Sequence, residues 1–395
     1  MERKRDERLD VIRIFSLLCV ISVHFLLNSG FYEQDVYGKR MLAMCIYRSL
    51  FIICVPMFIT LTGYLMNKKE LNLKYYKGII KVLVVYFICS VIYAVFEKLY
   101  LKENITIRIF IKNILSFAGT KYSWYIEMYI GLFLLIPFLN LIFNNLKDKK
   151  QTQVLLLTLV MMIGIPAVVN IFKFYSIDWW KSPATDNSYV KLLPSWWTTI
   201  YPIFYYFLGA YLNKYTVKVS KMWNIIFVLI MVFLDGIFNY YRSYGSKFIC
   251  GEWNTYYSAI VMLTTFLVFN LLLKIRFKSV NKFRSKILKT LSNASLGAYL
   301  ISCVFDIIYY DKLKNIIQCI PDRFKFAPLM IIIVFISSVL TSIMINILYS
   351  IIKKTIKYII TKIKMMNIKH NNYQYTDREE SIDGVKEKRE KILKN

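Results

Sequence analysis

Along this chain apolar residues fall in blocks of about twenty, the length a helix needs to cross a bilayer, and the blocks are separated by short polar stretches. The pattern predicts helices near 9–29, 43–66, 78–97, 124–145, 153–172, 196–213, 222–241, 254–274, 290–310 and 326–350. The expected fold is all-α, a polytopic transmembrane helical bundle of about ten spans over residues 1–350. A basic juxtamembrane segment and polar tail follow over 351–395. The segment ITIRIFIKNILSFA (105–118) is too short and too charged to span, and reads as an amphipathic stretch at the outer surface. Trp179 and Trp180 in the loop 173–195, with Trp196 and Trp197 at the edge of the next block, are placed as an interfacial belt is. Anchoring is therefore preferred to sugar stacking. From about 366 the chain turns polar, which predicts a solvated tail, disordered or weakly helical. No internal repeat is evident, and this counts against transporter folds built from paired halves.

Composition strengthens the membrane reading and removes a competing one. The chain is 57% hydrophobic and 17% aromatic, with only 13 Gly and 8 Pro. Its net charge of +28 would point to nucleic acid in a soluble protein, but here the cations sit between the apolar blocks. Topology and anionic lipid account for them, and no nucleic-acid partner is expected. With the N-terminus inside, the inner segments hold Arg3, Lys4, Arg5 and Arg8, then Lys68, Lys69, Lys74 and Lys77, then Lys147, Lys149 and Lys150, then Lys214, Lys218 and Lys221. The 274–289 loop adds Lys274, Arg276, Lys278, Lys282, Arg284, Lys286 and Lys289. The outer segments are poorer, so both termini are expected in the cytoplasm, although 98–123 carries Lys98, Lys102, Arg108, Lys112 and Lys121. The first apolar run is long and lacks a small-x-small cleavage site, as an uncleaved first span does. Low Gly and Pro with abundant Lys, Ile and Asn fit an AT-rich bacterial genome, hence a multi-pass protein of the bacterial plasma membrane. The seven cysteines form no CxxC and no cluster with histidine; they read as packing residues, with no metal site expected.

The first span, RLDVIRIFSLLCVISVHFLLNSG, carries Asp10, Arg13 and His24, where an anchor would use leucine. Arg13 and His24 are eleven positions apart, three helical turns plus about 20°. They share a face and are separated by roughly 16 Å along the axis. Asp10 and Asn28 fall on that face too, which therefore looks toward other helices or a water-filled cavity. Asp10 and Arg13 also fit a plain boundary pair with a snorkelling arginine. His24 is harder to explain by packing, because an unpaired imidazole in a span costs free energy that phenylalanine would not.

The spacing of an arginine, ten residues and a histidine in this helix resembles the integral-membrane acyltransferase-3 family. The likeness continues at Arg48, Val55, Pro56, Phe58, Thr62 and Gly63 in RSLFIICVPMFITLTGYLM, in SWYIEMYIGLFLLIPFLN (123–140), and in SNASLGAYLIS (292–302). Together these pieces cover residues 8 to about 350 and imply that 1–350 is an integral-membrane acyltransferase-like domain. Two positions depart from the family pattern. Ser302 stands where the late signature often has histidine, and KKELNLKYYKGIIK replaces an arginine-rich cytoplasmic stretch. Lysine can meet phosphate as a point charge but lacks the guanidinium fork.

The resemblance implies transfer of an acetyl or similar acyl group from acyl-CoA, acetyl-CoA first, to a hydroxyl of a cell-surface glycan or its precursor. Such transfer needs a base for the hydroxyl proton and stabilisation of charge on the carbonyl oxygen. His24 is the only histidine in a span, since His370 lies in the polar tail, and is assigned as that base. Glu127, another ionisable residue inside a span, is the first candidate to orient it, an ion pair with Arg48 or Arg13 being the structural alternative. Arg13 and Arg48 are candidates to hold the donor or the developing charge, and Lys74 and Lys77 to meet CoA phosphates at the cytoplasmic mouth. Asp235 and Asp306 are read as solvated groups near helix ends rather than relay or acceptor-site groups. The competing function is a transporter or exporter of a polysaccharide precursor or acylated product, using the same charges as a substrate path.

Overall fold

The computed structural model describes residues 5–186, 190–277 and 281–393; Lys278 lies outside them. The described residues are overwhelmingly helical and contain no strand, only the isolated bridges Asp35 to Lys247 and Val36 to Tyr244. In chain order the main helices are α1 Glu7–Ser29, α2 Gly38–Phe51, α3 Cys54–Met66, α4 Ile80–Leu99, α5 Ile107–Leu115 and α6 Trp124–Asn144. There follow α7 Lys149–Val169, which contains a π-turn at Val160–Gly164, α8 Tyr201–Lys214, α9 Lys221–Ser243, α10 Ala259–Leu273, α11 Lys282–Ile316 and α12 Ala327–Leu393. The chain divides into two units at Ile343 and Met344. The first holds the bundle. The second is helical to Leu393 in its described part, where the polarity of the tail had suggested at most weak helicity.

Local chemistry starts and stops these elements. The side chains of Asp6, Asp148, Ser220 and Asn281 each accept a backbone N–H of the turn that follows, so α1, α7, α9 and α11 begin with donors satisfied. α1 stops at Gly30, whose φ of 92° closes the helix in the left-handed region. The second span breaks at Ile52 and Ile53, between α2 and α3. Pro56 then sits in the first turn of α3, where its missing N–H removes no helical bond. The charged stretch 105–118 forms the short helix α5, capped by Thr106, with Ile107, Ile111 and Leu115 exposed.

Nine stretches among the described residues are long and apolar enough to cross a membrane. The span expected at 196–213 is different. Residues 196 and 197 precede a 3-10 turn, and α8 has 14 residues, about 21 Å. It manages with so little because Phe204 through Leu212 are all buried, so protein rather than lipid surrounds it. A side chain at Gly63 of α3 would overlap the carbonyl of Tyr206, and one at Gly209 of α8 that of Thr60. The two backbones touch, as small residues allow in membrane bundles.

Hydrogen bonds fix the directions of the helices. At one end Arg8 donates to the Leu273 carbonyl at 2.9 Å, and Asn67 to Asn213 at 3.0 Å. The end of α8 therefore lies with the start of α1 and the ends of α3 and α10. Ser342 of α12 donates to the Ala294 carbonyl at 2.6 Å, while Ser337 lies 3.0 Å from Tyr309, so α12 heads toward the beginning of α11.

Candidate active site

The polar face expected on α1 exists, and α11 supplies its partners. Ser292, Tyr299 and Asp306 are spaced by seven residues, nearly two turns each, and so line one face of α11. At one end Arg13 donates to Ser292 Oγ at 2.6 Å. At the other the Nδ1 atom of His24 lies 3.4 Å from Oδ2 of Asp306, with the two side chains 12% and 0% exposed. The separation is not an aligned hydrogen bond: Nδ1 of His24 and Oδ1 of Asp306 are both buried without a hydrogen-bond partner. Oδ2 accepts from the hydroxyl of Tyr122 at 2.7 Å, and the Tyr122 ring stacks on the imidazole with centroids 3.7 Å apart. Asn28, one turn beyond His24, donates to the Tyr122 hydroxyl at 3.1 Å and accepts from Lys121 at 3.1 Å.

The Arg13 end opens into a half-open cavity of about 650 Å³. Its cations are Arg5, Arg13, Lys68 and Lys69 and its acids Asp6 and Asp10, a net +2, with Asn67 and Asn213 also in the wall. Asp10 is held mainly by Arg5, through bonds of 2.7 and 2.6 Å, and sits 3.9 Å from Arg13. Arg13, bonded to Ser292, also lines the cavity. The side chain of Arg8 hydrogen-bonds Asp6 and keeps its carboxyl below the ordinary value, so Asp6 remains an anion.

Several sequence expectations are redirected by this geometry. Glu127 is exposed on α6, on the strip that also exposes Leu134, Leu135 and Phe138, and Asp306 takes the place beside His24. Asp235 and Asp306 are buried, 3% and 1% exposed, rather than solvated. The reason is length: α11 runs ten residues past Asp306, and α9 eight past Asp235. Lys74 and Lys77 are exposed and do not line the cavity, whereas their neighbours Lys68 and Lys69 do. Arg48 is buried away from that cavity, donating to Tyr32 Oη at 3.0 Å and the Asn254 carbonyl at 2.9 Å, with Phe248 across its guanidinium. It does not join Lys74 and Lys77. Ser302, which stands where the family's late signature often has histidine, is buried and donates to the Tyr299 carbonyl. Of the four tryptophans read as interfacial, Trp180, Trp196 and Trp197 are exposed, but Trp179 is buried against Arg242.

Sequence reasoning named Asp306 but preferred to read it as solvated, and it did not name Tyr122. The seven-residue spacing from Ser292 through Tyr299 to Asp306 was the available signal for the first. Nothing in the pattern announced the second, which precedes its helix and enters from a loop.

The family model described as Acyltransferase domain matches residues 6–347 of the chain. No curated protein and no solved structure matches it.

Proposed function

This chain belongs to the acyltransferase-3 family, and from that premise we propose that it moves an acetyl or similar acyl group from acyl-CoA to a hydroxyl of a cell-surface glycan or its precursor. As a membrane acyltransferase, it needs a base and a donor site within reach of each other, and two features support this assignment of them. The first carries the reading: a histidine inside a span, stacked on Tyr122 and 3.4 Å from a fully buried carboxylate. The second is the cationic cavity roughly 16 Å along the helix axis from it.

In this reading the Arg13 end faces the cytoplasm, and Arg5, Arg13, Lys68 and Lys69 receive the phosphates of CoA. The thioester end of the donor then has to reach the His24 end of α1. Nε2 of His24 takes the acceptor's hydroxyl proton while the oxygen attacks the thioester carbonyl. The new C–O bond forms, the C–S bond breaks, and the imidazolium returns its proton to the departing sulfur. An O-acyl ester and free CoA thiol result. Asp306 stabilises the imidazolium between these two proton transfers, as an orienting carboxylate does for a histidine base.

The test is mass spectrometry of surface glycans from cells with the protein, without it, and with His24→Ala at equal expression. An acyl mass present only with the unaltered protein is the expected result. Full acylation by His24→Ala would overturn the catalytic assignment. Loss of the polymer itself from the surface, with no acyl difference, would replace the enzyme by the exporter.

A further inference from the structure

The hydrogen bonds around Tyr122 have only one possible polarity. Lys121 can only donate, so the Asn28 oxygen faces it at 3.1 Å and the Asn28 nitrogen faces inward. That nitrogen donates to the His24 carbonyl at 2.8 Å and to the Tyr122 hydroxyl at 3.1 Å. The hydroxyl, already an acceptor, must direct its own hydrogen to Asp306 Oδ2 at 2.7 Å. The sequence Lys121, Asn28, Tyr122, Asp306 is therefore a directed relay ending on the carboxylate that faces His24.

The position of Tyr122 is built, not incidental. Its carbonyl accepts the Tyr299 hydroxyl, and the hydroxyls of Thr120 and Ser123 meet at 2.8 Å to close the turn that carries it. Just before them, Gly119 lies against Ser90 and Tyr86 so closely that a side chain there would collide with both. All this holds a ring 3.7 Å from the imidazole and a hydroxyl on the carboxylate, while Nδ1 and Oδ1 remain buried and unbonded. Two unsatisfied buried polar atoms cost free energy and persist only where other bonds hold them.

We propose that Tyr122 is a positioning residue for acyl transfer, its hydroxyl holding Asp306 off His24 at rest so that the two engage fully only when His24 carries the proton. The proposal rests on His24 being the base. Its physical content is that an interaction accelerates a step only if it is stronger in the transition state than in the ground state. A carboxylate already bonded to the neutral imidazole would spend much of its effect before the proton moves. Held at 3.4 Å by the Tyr122 hydroxyl, it is pulled closer by the charge that develops on the ring.

Two variants release the carboxylate in different ways. Tyr122→Phe keeps the stacked ring and removes the donor. Asn28→Asp keeps the hydroxyl but gives it a competing acceptor, so that it turns away from Asp306. Purified protein in nanodiscs would be assayed with radiolabelled acetyl-CoA and the envelope glycan fraction of cells lacking the protein. Each variant should lower turnover about tenfold, the effect of one hydrogen bond to a charged group, and leave KM for acetyl-CoA unchanged. The decisive arm is the cycle with Asp306→Asn: in that background Tyr122→Phe should cost less than about twofold, because residues acting through one partner are not additive.

Additive losses in the cycle, or wild-type turnover in both single variants at unchanged melting temperature, would overturn the proposal while leaving His24 as base. If His24→Ala itself retained turnover, the catalytic reading would fall first, and the two failures are distinguished by that control. Should Tyr122→Phe fold poorly, Asn28→Asp run through the same cycle decides the question.

Discussion

Asp306 is 1% exposed in the middle of a 35-residue helix, and its nearest cation-forming group is a histidine. Replacing it by asparagine keeps the shape and removes the charge that would steady an imidazolium. Turnover is expected to fall on the order of ten- to a hundredfold with KM for acetyl-CoA unchanged, which steady-state kinetics at saturating donor would show. The opposite split is expected at the cationic cavity. Lys68→Gln with Lys69→Gln should raise the donor KM about tenfold, more at low salt, with little change in turnover, whereas the same change at the exposed Lys74 and Lys77 should do neither. The contrast marks what the sequence can disclose at this scale. Arg13 and His24 stand out because charge in an apolar run is costly, and their shared face follows from helical spacing alone. Glu127 has the same signature, yet faces outward. Burial, which separates it from Asp306, depends on which helices flank it, and no local pattern in the chain records that.

Among the elements, the long apolar helices were legible because bilayer thickness imposes their length. The break at Ile52 and Ile53 and the shortness of α8 were not, since each is tolerated only by surrounding protein. The contact of α3 with α8 is the tightest consequence. A leucine at Gly209 cannot be placed without moving the α3 backbone at Thr60. Gly209→Leu should destabilise the protein by at least about 1–3 kcal/mol, the usual cost of overpacking, and lower its melting temperature in detergent. At Gly131, where nothing lies within 4 Å of an added Cβ, alanine should leave the melting temperature nearly unchanged. A similar loss at both glycines would contradict the backbone contact.

For the whole molecule, the alternation of directions from α1 through α8 to the first part of α12 returns the chain to the end where it began. α10 ends there, where Arg8 meets Leu273, and α11 starts there, where Arg284 meets Glu7; the cations of the sequence 274–289 favour the cytoplasmic side. Membrane-impermeant labelling of intact cells should therefore reach a cysteine placed at Lys102, between α4 and α5, but not one at Lys282, where α11 starts; the reverse would invert the orientation.

Synthesis must also reckon with α8. As it leaves the ribosome this segment is too short to span unaided, and it carries Tyr205, Tyr206 and Tyr211, whose hydroxyls meet Tyr256, Asn140 and Gln153 in the assembled bundle. Docking against α3, which has been made before α8 emerges, is therefore the expected route for α8, not an independent entry into lipid. Blocking the docking site with Gly63→Leu should leave a cysteine at Ala210 open to a water-soluble maleimide that the unaltered bundle excludes. The length of one helix, set by its neighbours, thereby makes its insertion depend on a helix made before it.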